Sequence, residues 1–117
     1  MDRVEDCLFC KLVAGEIPSE KLYEDDVVLA FQDIRPQAPV HVLVIPKRHI
    51  ASAQTVTAED ANVLGHLHAV IPQVAEKTGI AEKGYRVVTN IGHHGQQTVP
   101  HLHYHVIGGR QLGWPPG

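Results

Sequence analysis

The sequence predicts a single domain of mixed α and β structure in which strands predominate, and three observations carry that prediction. Residues 57–78 set Leu64, Leu67, Ile71 and Val74 at helical spacing, the single apolar stripe of a half-buried helix. Residues 40–45 (VHVLVI) form a β-branched run that stops at Pro46. Residues 101–107 alternate histidine with apolar or aromatic side chains, which is the period of a strand.

The elements follow in chain order. Residues 8–14 are apolar at positions 8, 9, 12 and 13, suiting one or two helical turns ended by Gly15, and Pro18 closes the piece. Residues 22–34 read as a hairpin, with Glu24-Asp25-Asp26 as its turn and VVLAF as a largely buried strand. Residues 35–39 hold two prolines and form a loop before the 40–45 strand. Thr57 caps the long helix, with Glu59 and Asp60 in the first turn, where negative charge suits the helix dipole. Pro72 removes one backbone donor inside that helix and predicts a kink, and Gly79 stops it. Residues 84–90 make a fourth strand, 91–100 a polar loop, and 102–107 a fifth strand. The tail 108–117, rich in glycine and proline, is irregular. His66 and His68 on the helix, and His93 and His94 in the loop, read as solvated side chains.

Composition narrows the function classes. A chain of 117 residues, 44% hydrophobic and 20% charged, supports one core and is not disordered. A net charge of −3 argues against a general nucleic-acid binder. No stretch approaches the ~20 apolar residues of a membrane span, and no secretory signal is visible. With Cys7 and Cys10 as the only cysteines, too close to staple a domain, a cytoplasmic protein with thiols or a metal site is expected. The unusual residue is histidine. There are nine, and protonating all of them would reverse the sign of the net charge.

The informative segment is His101-Leu102-His103-Tyr104-His105-Val106-Ile107. On a strand its three imidazoles share one face at intervals of about 6.8 Å, with Leu102, Tyr104 and Val106 on the other. A His-x-His pair can offer zinc two nitrogens. A zinc-activated water, however, usually has a carboxylate base nearby, and residues 91–110 contain neither Asp nor Glu. An imidazole that attacks an electrophile itself needs none, so the segment favours a nucleophilic histidine. Cys7-x-x-Cys10 is compatible with redox chemistry, plain burial or metal binding.

This pattern resembles the signature of the histidine triad (HIT) nucleotide-binding proteins. CLFCKLVAGEIP, AFQDIRPQAP, VHVLVIPKRHI, GYRVVTN, GQQTVPHLHYHV and GGRQLGWPPG look like that family's blocks in the family's order, and the tail looks like its Hint branch. The resemblance implies an α+β HIT-like fold over residues 1–117: a five-stranded antiparallel sheet with one long and one short helix, extended across a homodimer. It implies hydrolysis of purine nucleoside 5′-phosphoramidates (AMP or GMP conjugates) with no cofactor in the chemistry. His103 would be the nucleophile, with His105, His41 and His101 around it. Asp33 would take ribose hydroxyls, and Asn90, Gln97 and Thr98 the phosphate. Leu8, Phe9, Leu12, Phe31 and Ile34 would wall the base. The tail 108–117 would bring Trp114 to the partner's site. Many bacterial relatives hold a structural zinc with residues matching Cys7, Cys10, His49 and His101. Two departures stand out: Gln96 occupies a position where glycine is usual, and Thr98 one where serine is common. The alternatives are hydrolysis of dinucleoside polyphosphates or other nucleotide conjugates, and a nucleotide-binding scaffold. Neither a nucleic-acid nor a membrane partner is expected.

Overall fold

The computed structural model describes residues 4–117; of the domain expected over 1–117, the first three residues lie outside the described residues. The elements are α1 (Leu8–Val13), β1 (Lys21–Glu24), β2 (Val28–Gln32), β3 (Val40–Pro46), α2 (Ala61–Thr78), β4 (Arg86–Val88) and β5 (Tyr104–Gly108), with short 3-10 turns at Ala53–Thr55 and Ala58–Asp60. The strands form one antiparallel sheet in the order β1-β2-β3-β5-β4.

Period-two alternation sorts the sheet into two faces. Val28 and Ala30 of β2, Val42 and Val44 of β3, and Val106 of β5 pack under Leu67, Val70, Ile71 and Val74 of α2. The intervening Leu29, Phe31, Leu43 and Ile45 pack on the other face against Cys7, Phe9, Cys10 and Leu12 of the α1 segment. Burying each such aliphatic side chain contributes about 1.5–3 kcal/mol, so both faces are strongly specified. The second face carries the chemistry, because His41 on β3 and His105 on β5 share the parity of Leu43 and stand beside one another.

Three boundaries differ from the sequence expectation. The helix of 57–78 begins as a 3-10 turn and becomes α-helical at Ala61, and the Asp60 carboxylate accepts the Thr57 backbone N–H at 2.9 Å. Buried Asp60 also pairs with Arg48. The fourth strand shrinks from 84–90 to Arg86–Val88, and the fifth moves from 102–107 to Tyr104–Gly108. Backbone groups ahead of β5 find partners outside the ladder: Leu102 N–H donates to Ile50 O at 2.6 Å, and the Thr89 hydroxyl donates to His103 O at 2.9 Å. α2 runs through Pro72 without a break, and Gly79 ends it at φ +78°.

Two helix histidines have partners. His68 packs edge-on against Tyr104, and His66 Nε2 lies 2.5 Å from Asp25 Oδ2. Asp25 also accepts from the Tyr23 hydroxyl at 2.6 Å and from the Val27 and Val28 N–H groups, both at 2.8 Å, so one carboxylate shapes the β1–β2 turn and ties it to α2. Asp25→Ala is therefore expected to destabilise the fold by about 1–3 kcal/mol. Urea unfolding measures the difference, and an unchanged midpoint would contradict the role given to Asp25.

Candidate active site and a thiol–imidazole cluster

A cavity of about 410 Å³ opens between α1 and the sheet, lined by Leu8, Phe9, Leu12, Phe31, Asp33, Ile34, Thr98, His103 and His105 among others. It has an apolar end and an imidazole end. Phe9 and Phe31 meet edge-on with centroids 5.6 Å apart, and Phe9 meets His103 edge-on at 5.2 Å. Ile34 stands 93% exposed at the rim. Ile17, Pro18 and Leu43 also line the cavity, although the sequence reading did not select them. Leu43 was recoverable, since it lies two residues from His41 on a strand; nothing local pointed to Ile17.

Hydrogen bonds to the backbone define the tautomers. His103 Nδ1 lies 2.7 Å from the His101 carbonyl, so this nitrogen carries the proton and Nε2 keeps the lone pair. The Gln37 N–H donates to His41 Nδ1 at 3.0 Å, so His41 is protonated on Nε2. That proton points to His105 Nδ1 at 2.8 Å and to Asp33 Oδ2 at 3.3 Å. His105 therefore accepts on Nδ1 and donates from Nε2. His103 and His105, centroids 5.1 Å apart, are opposed in character: one offers a lone pair and the other a proton. Asp33, His41 and His105 are also close enough to share a metal ion. The 2.8 Å nitrogen–nitrogen contact is nonetheless a hydrogen bond that engages those lone pairs.

Burial pushes His105 down to about 4, with His103 and His41 adding to the effect and Asp33 opposing it. Burial lowers His41 as well, against the pull of Asp33. His105 is therefore neutral in the fold through mild acid and the His41 shift runs in the same direction, whereas the unfolded chain takes up protons near the ordinary value of 6.5. The unfolded state then binds more protons, so their contribution is complete above pH 6.5 and drains away as pH falls toward about 4. Urea midpoints measured across that window are expected to fall with pH, and His105→Asn is expected to flatten the slope. A pH-independent midpoint would contradict this.

The ring of His101 turns away from the cavity. Its Nε2–H donates to Pro46 O at 2.9 Å, and its Nδ1 lies 3.2 Å from Cys7 Sγ and 3.6 Å from Cys10 Sγ. His49 Nδ1 lies 3.4 Å from Cys10 Sγ. Tetrahedral zinc, with bonds of about 2.3 Å to sulfur and 2.0–2.1 Å to nitrogen, spaces such atoms about 3.5 Å apart, so the four side chains fit a metal ion. Burial lowers His49 and holds His101 at about 4, leaving both imidazoles in the neutral, ligating form. Cys7 caps α1, its sulfur accepting the Cys10 N–H at 3.2 Å, so α1 is tied to this cluster at its start.

The remaining candidates lie around the loop 91–98. Asn90 Nδ2 donates to Gly95 O at 2.7 Å, and Gln97 Nε2 donates to Ala51 O at 2.8 Å and Val99 O at 3.0 Å, so both amides brace the loop. Gln96 has φ +65°, a left-handed conformation that glycine adopts freely. Trp114 is 80% exposed, near the Arg86 guanidinium and outside the lining of its own chain's cavity.

Comparison with known proteins adds a consistent set of likenesses. Residues 6–113 match the family described as scavenger mRNA decapping enzyme C-term binding. A purine nucleoside phosphoramidase of Escherichia coli (strain K12) is 48% identical over 109 residues, covering 93% of this chain and 92% of that protein. An uncharacterised HIT-like protein of Synechococcus elongatus is 53% identical over 113 residues, covering 97% and 98%. The solved structure of a HIT family hydrolase from Clostridium thermocellum superposes with a TM-score of 0.92 at 51% identity, covering 94% of this chain and 96% of that one.

Proposed function

The chain belongs to the histidine triad family of hydrolases, and from that premise we propose that it cleaves purine nucleoside 5′-phosphoramidates through a nucleotidyl intermediate on His103. The opposed tautomers of His103 and His105 support this reading most directly. The purine lies against Phe9, Leu12 and Phe31, with Leu8 and Ile34 at the rim, and Asp33 receives the ribose hydroxyls. Thr98 faces the phosphoryl oxygens, and the loop braced by Asn90 and Gln97 holds its backbone toward them.

In the first half-reaction His103 Nε2 forms a bond to the α-phosphorus and the phosphorus–nitrogen bond breaks. The departing nitrogen takes the proton of His105 Nε2–H as the His41 Nε2–H proton crosses to His105 Nδ1, and the positive charge on the phosphorylated His103 ring offsets the proton lost from the His41–His105 pair until water returns it. In the second half-reaction water attacks phosphorus and the bond to His103 breaks. The water proton then restores His105, and the nucleoside monophosphate leaves. Phe9 packs on both His101 and His103 and keeps the nucleophile's ring upright.

Cys7, Cys10, His49 and His101 hold a structural zinc in this reading, which links α1, the segment after β3 and the triad. Residues 1–117 act as one domain in the cytoplasm and pair into a homodimer. Val87 and Ile91, exposed at the β4 edge, and the exposed tail with Trp114 suit that pairing. No described helix is long and apolar enough to cross a membrane.

The test compares kcat/KM for adenosine 5′-phosphoramidate and diadenosine tetraphosphate. A preference of about tenfold or more for the phosphoramidate is expected. Equal or better use of the dinucleotide would overturn the substrate class, and no turnover of either would leave a binding protein.

A further inference from the structure

The loop 35–39 lies at the surface, with Arg35, Pro36, Gln37 and Pro39 exposed, yet it reaches the buried ring of His41. The Gln37 N–H donates to His41 Nδ1 at 3.0 Å and so decides which nitrogen of that ring keeps its proton. Pro36 and Pro39 have no N–H, and the Arg35 N–H is taken by Asp33 Oδ1 at 2.8 Å. A loop with few buried contacts opens easily, so holding one N–H against a ring needs a restraint from outside.

That restraint comes from the far end of the chain. Gly108 pairs with Val40 at the end of the β3–β5 ladder, which brings the residues after it alongside the loop. A Cβ at Gly109, where φ is +94°, would meet Pro39 Cβ at 2.9 Å, so the two segments are in close contact. Arg110 Nη2–H donates to Gln37 O at 3.1 Å, and Nη1–H donates to Gln111 O at 3.3 Å. The Gln37 side chain closes the loop on itself, its Nε2–H donating to Arg35 O at 3.0 Å. Residue 37 is thus gripped at both of its peptide groups, the carbonyl by a guanidinium and the N–H by an imidazole. A charged donor strengthens the first of these bonds.

Resting on the phosphoramidate chemistry proposed above, we infer that Arg110 is a positioning residue for that reaction: it seats the Gln37 peptide and thereby holds His41 in its Nε2–H tautomer. The consequence passes from ring to ring. With its proton on Nε2, His41 donates to His105 Nδ1 across 2.8 Å, which leaves the His105 proton on Nε2. Released from Gln37, His41 exchanges between tautomers, and its Nδ1–H form turns a lone pair toward His105. His105 then fills the contact with a proton on Nδ1 and has none on Nε2 for the departing amine. Arg110 lies outside the lining of the nucleotide cavity, so base and ribose keep their walls.

The test compares wild type with Arg110→Ala, Arg110→Lys and Gln111→Ala. It measures turnover of adenosine 5′-phosphoramidate and the nitrogen–proton correlation spectra of the histidine rings, which report each tautomer. Arg110→Ala is expected to lower kcat about tenfold, to leave KM and Tm nearly unchanged, and to turn the single Nε2–H signature of His41 into a mixture. An ammonium can reach the same carbonyl, so Arg110→Lys is expected to restore kcat to within about threefold of wild type. Gln111→Ala removes a tail contact, the bond from its Nε2 to Leu112 O, without touching Gln37 and is expected to match wild type in both readings. An unchanged kcat or an unchanged His41 signature in Arg110→Ala overturns the proposal. So does an equal loss in Gln111→Ala, or the absence of rescue by lysine. The ring spectra are recorded without substrate, so wild type that fails to hydrolyse the phosphoramidate overturns the underlying reading while the hold of Arg110 on His41 is still decided.

Discussion

Replacing His103 by alanine is expected to lower kcat on a nucleoside phosphoramidate by about a thousandfold or more, while AMP affinity changes only a few-fold. The expectation rests on one lone pair. His103 is the imidazole in the cavity whose Nδ1–H is fixed on a backbone carbonyl, at 2.7 Å, with Nε2 left to attack. The walls that would hold base and ribose, Phe9, Phe31 and Asp33, are untouched by the change, so binding survives. His41→Ala removes only the donor to His105 Nδ1 and is expected to cost less, about 10–100-fold. Steady-state kinetics and calorimetric titration with AMP separate the cases. Near-normal turnover by the His103 variant would remove the nucleophile from the mechanism.

The second large effect concerns stability. Protein purified without chelator is expected to carry about one zinc per chain, and Cys7→Ser with Cys10→Ser is expected to lose both the ion and about 3–5 kcal/mol of stability, lowering Tm by about 10 °C or more. Two of the four side chains of the thiol–imidazole cluster sit on α1 and its cap, a helix of 6 residues that is too short to be stable alone and that also walls the cavity holding His103. Loss of the cross-link therefore loosens α1 first, and AMP affinity should weaken along with Tm. Metal analysis and thermal unfolding decide the matter. Metal-free wild type as stable as the zinc-supplemented protein would contradict the structural role.

Much of the fold and part of the site were legible because both depend on short-range periodicity. Alternation along β2 and β3 assigns Val42 and Val44 to one face and His41, Leu43 and Ile45 to the other, and the apolar repeat of α2 finds its partners directly. Alternation alone misleads at the triad. Strict strand geometry would set His101, His103 and His105 in one row, yet the chain joins the ladder only at Tyr104, and the His101 ring turns to the thiols. The tautomers were not legible either. Their determinants are backbone groups, the Gln37 N–H, the His101 carbonyl and the Pro46 carbonyl, which every sequence possesses and only the fold positions. The same holds for Asp25, whose carboxylate reaches His66 across 41 residues. Gln96 is the intermediate case: its departure from glycine was visible, and the positive φ explains why glycine is at home there.

The central claim is a double displacement at phosphorus through His103. The stereochemical course tests it most directly: an adenosine phosphoramidothioate chiral at phosphorus is hydrolysed in isotopically labelled water, and the configuration of the product is assigned. Two successive in-line displacements predict overall retention. Overall inversion would mean that water attacks the substrate directly, and would contradict the covalent intermediate.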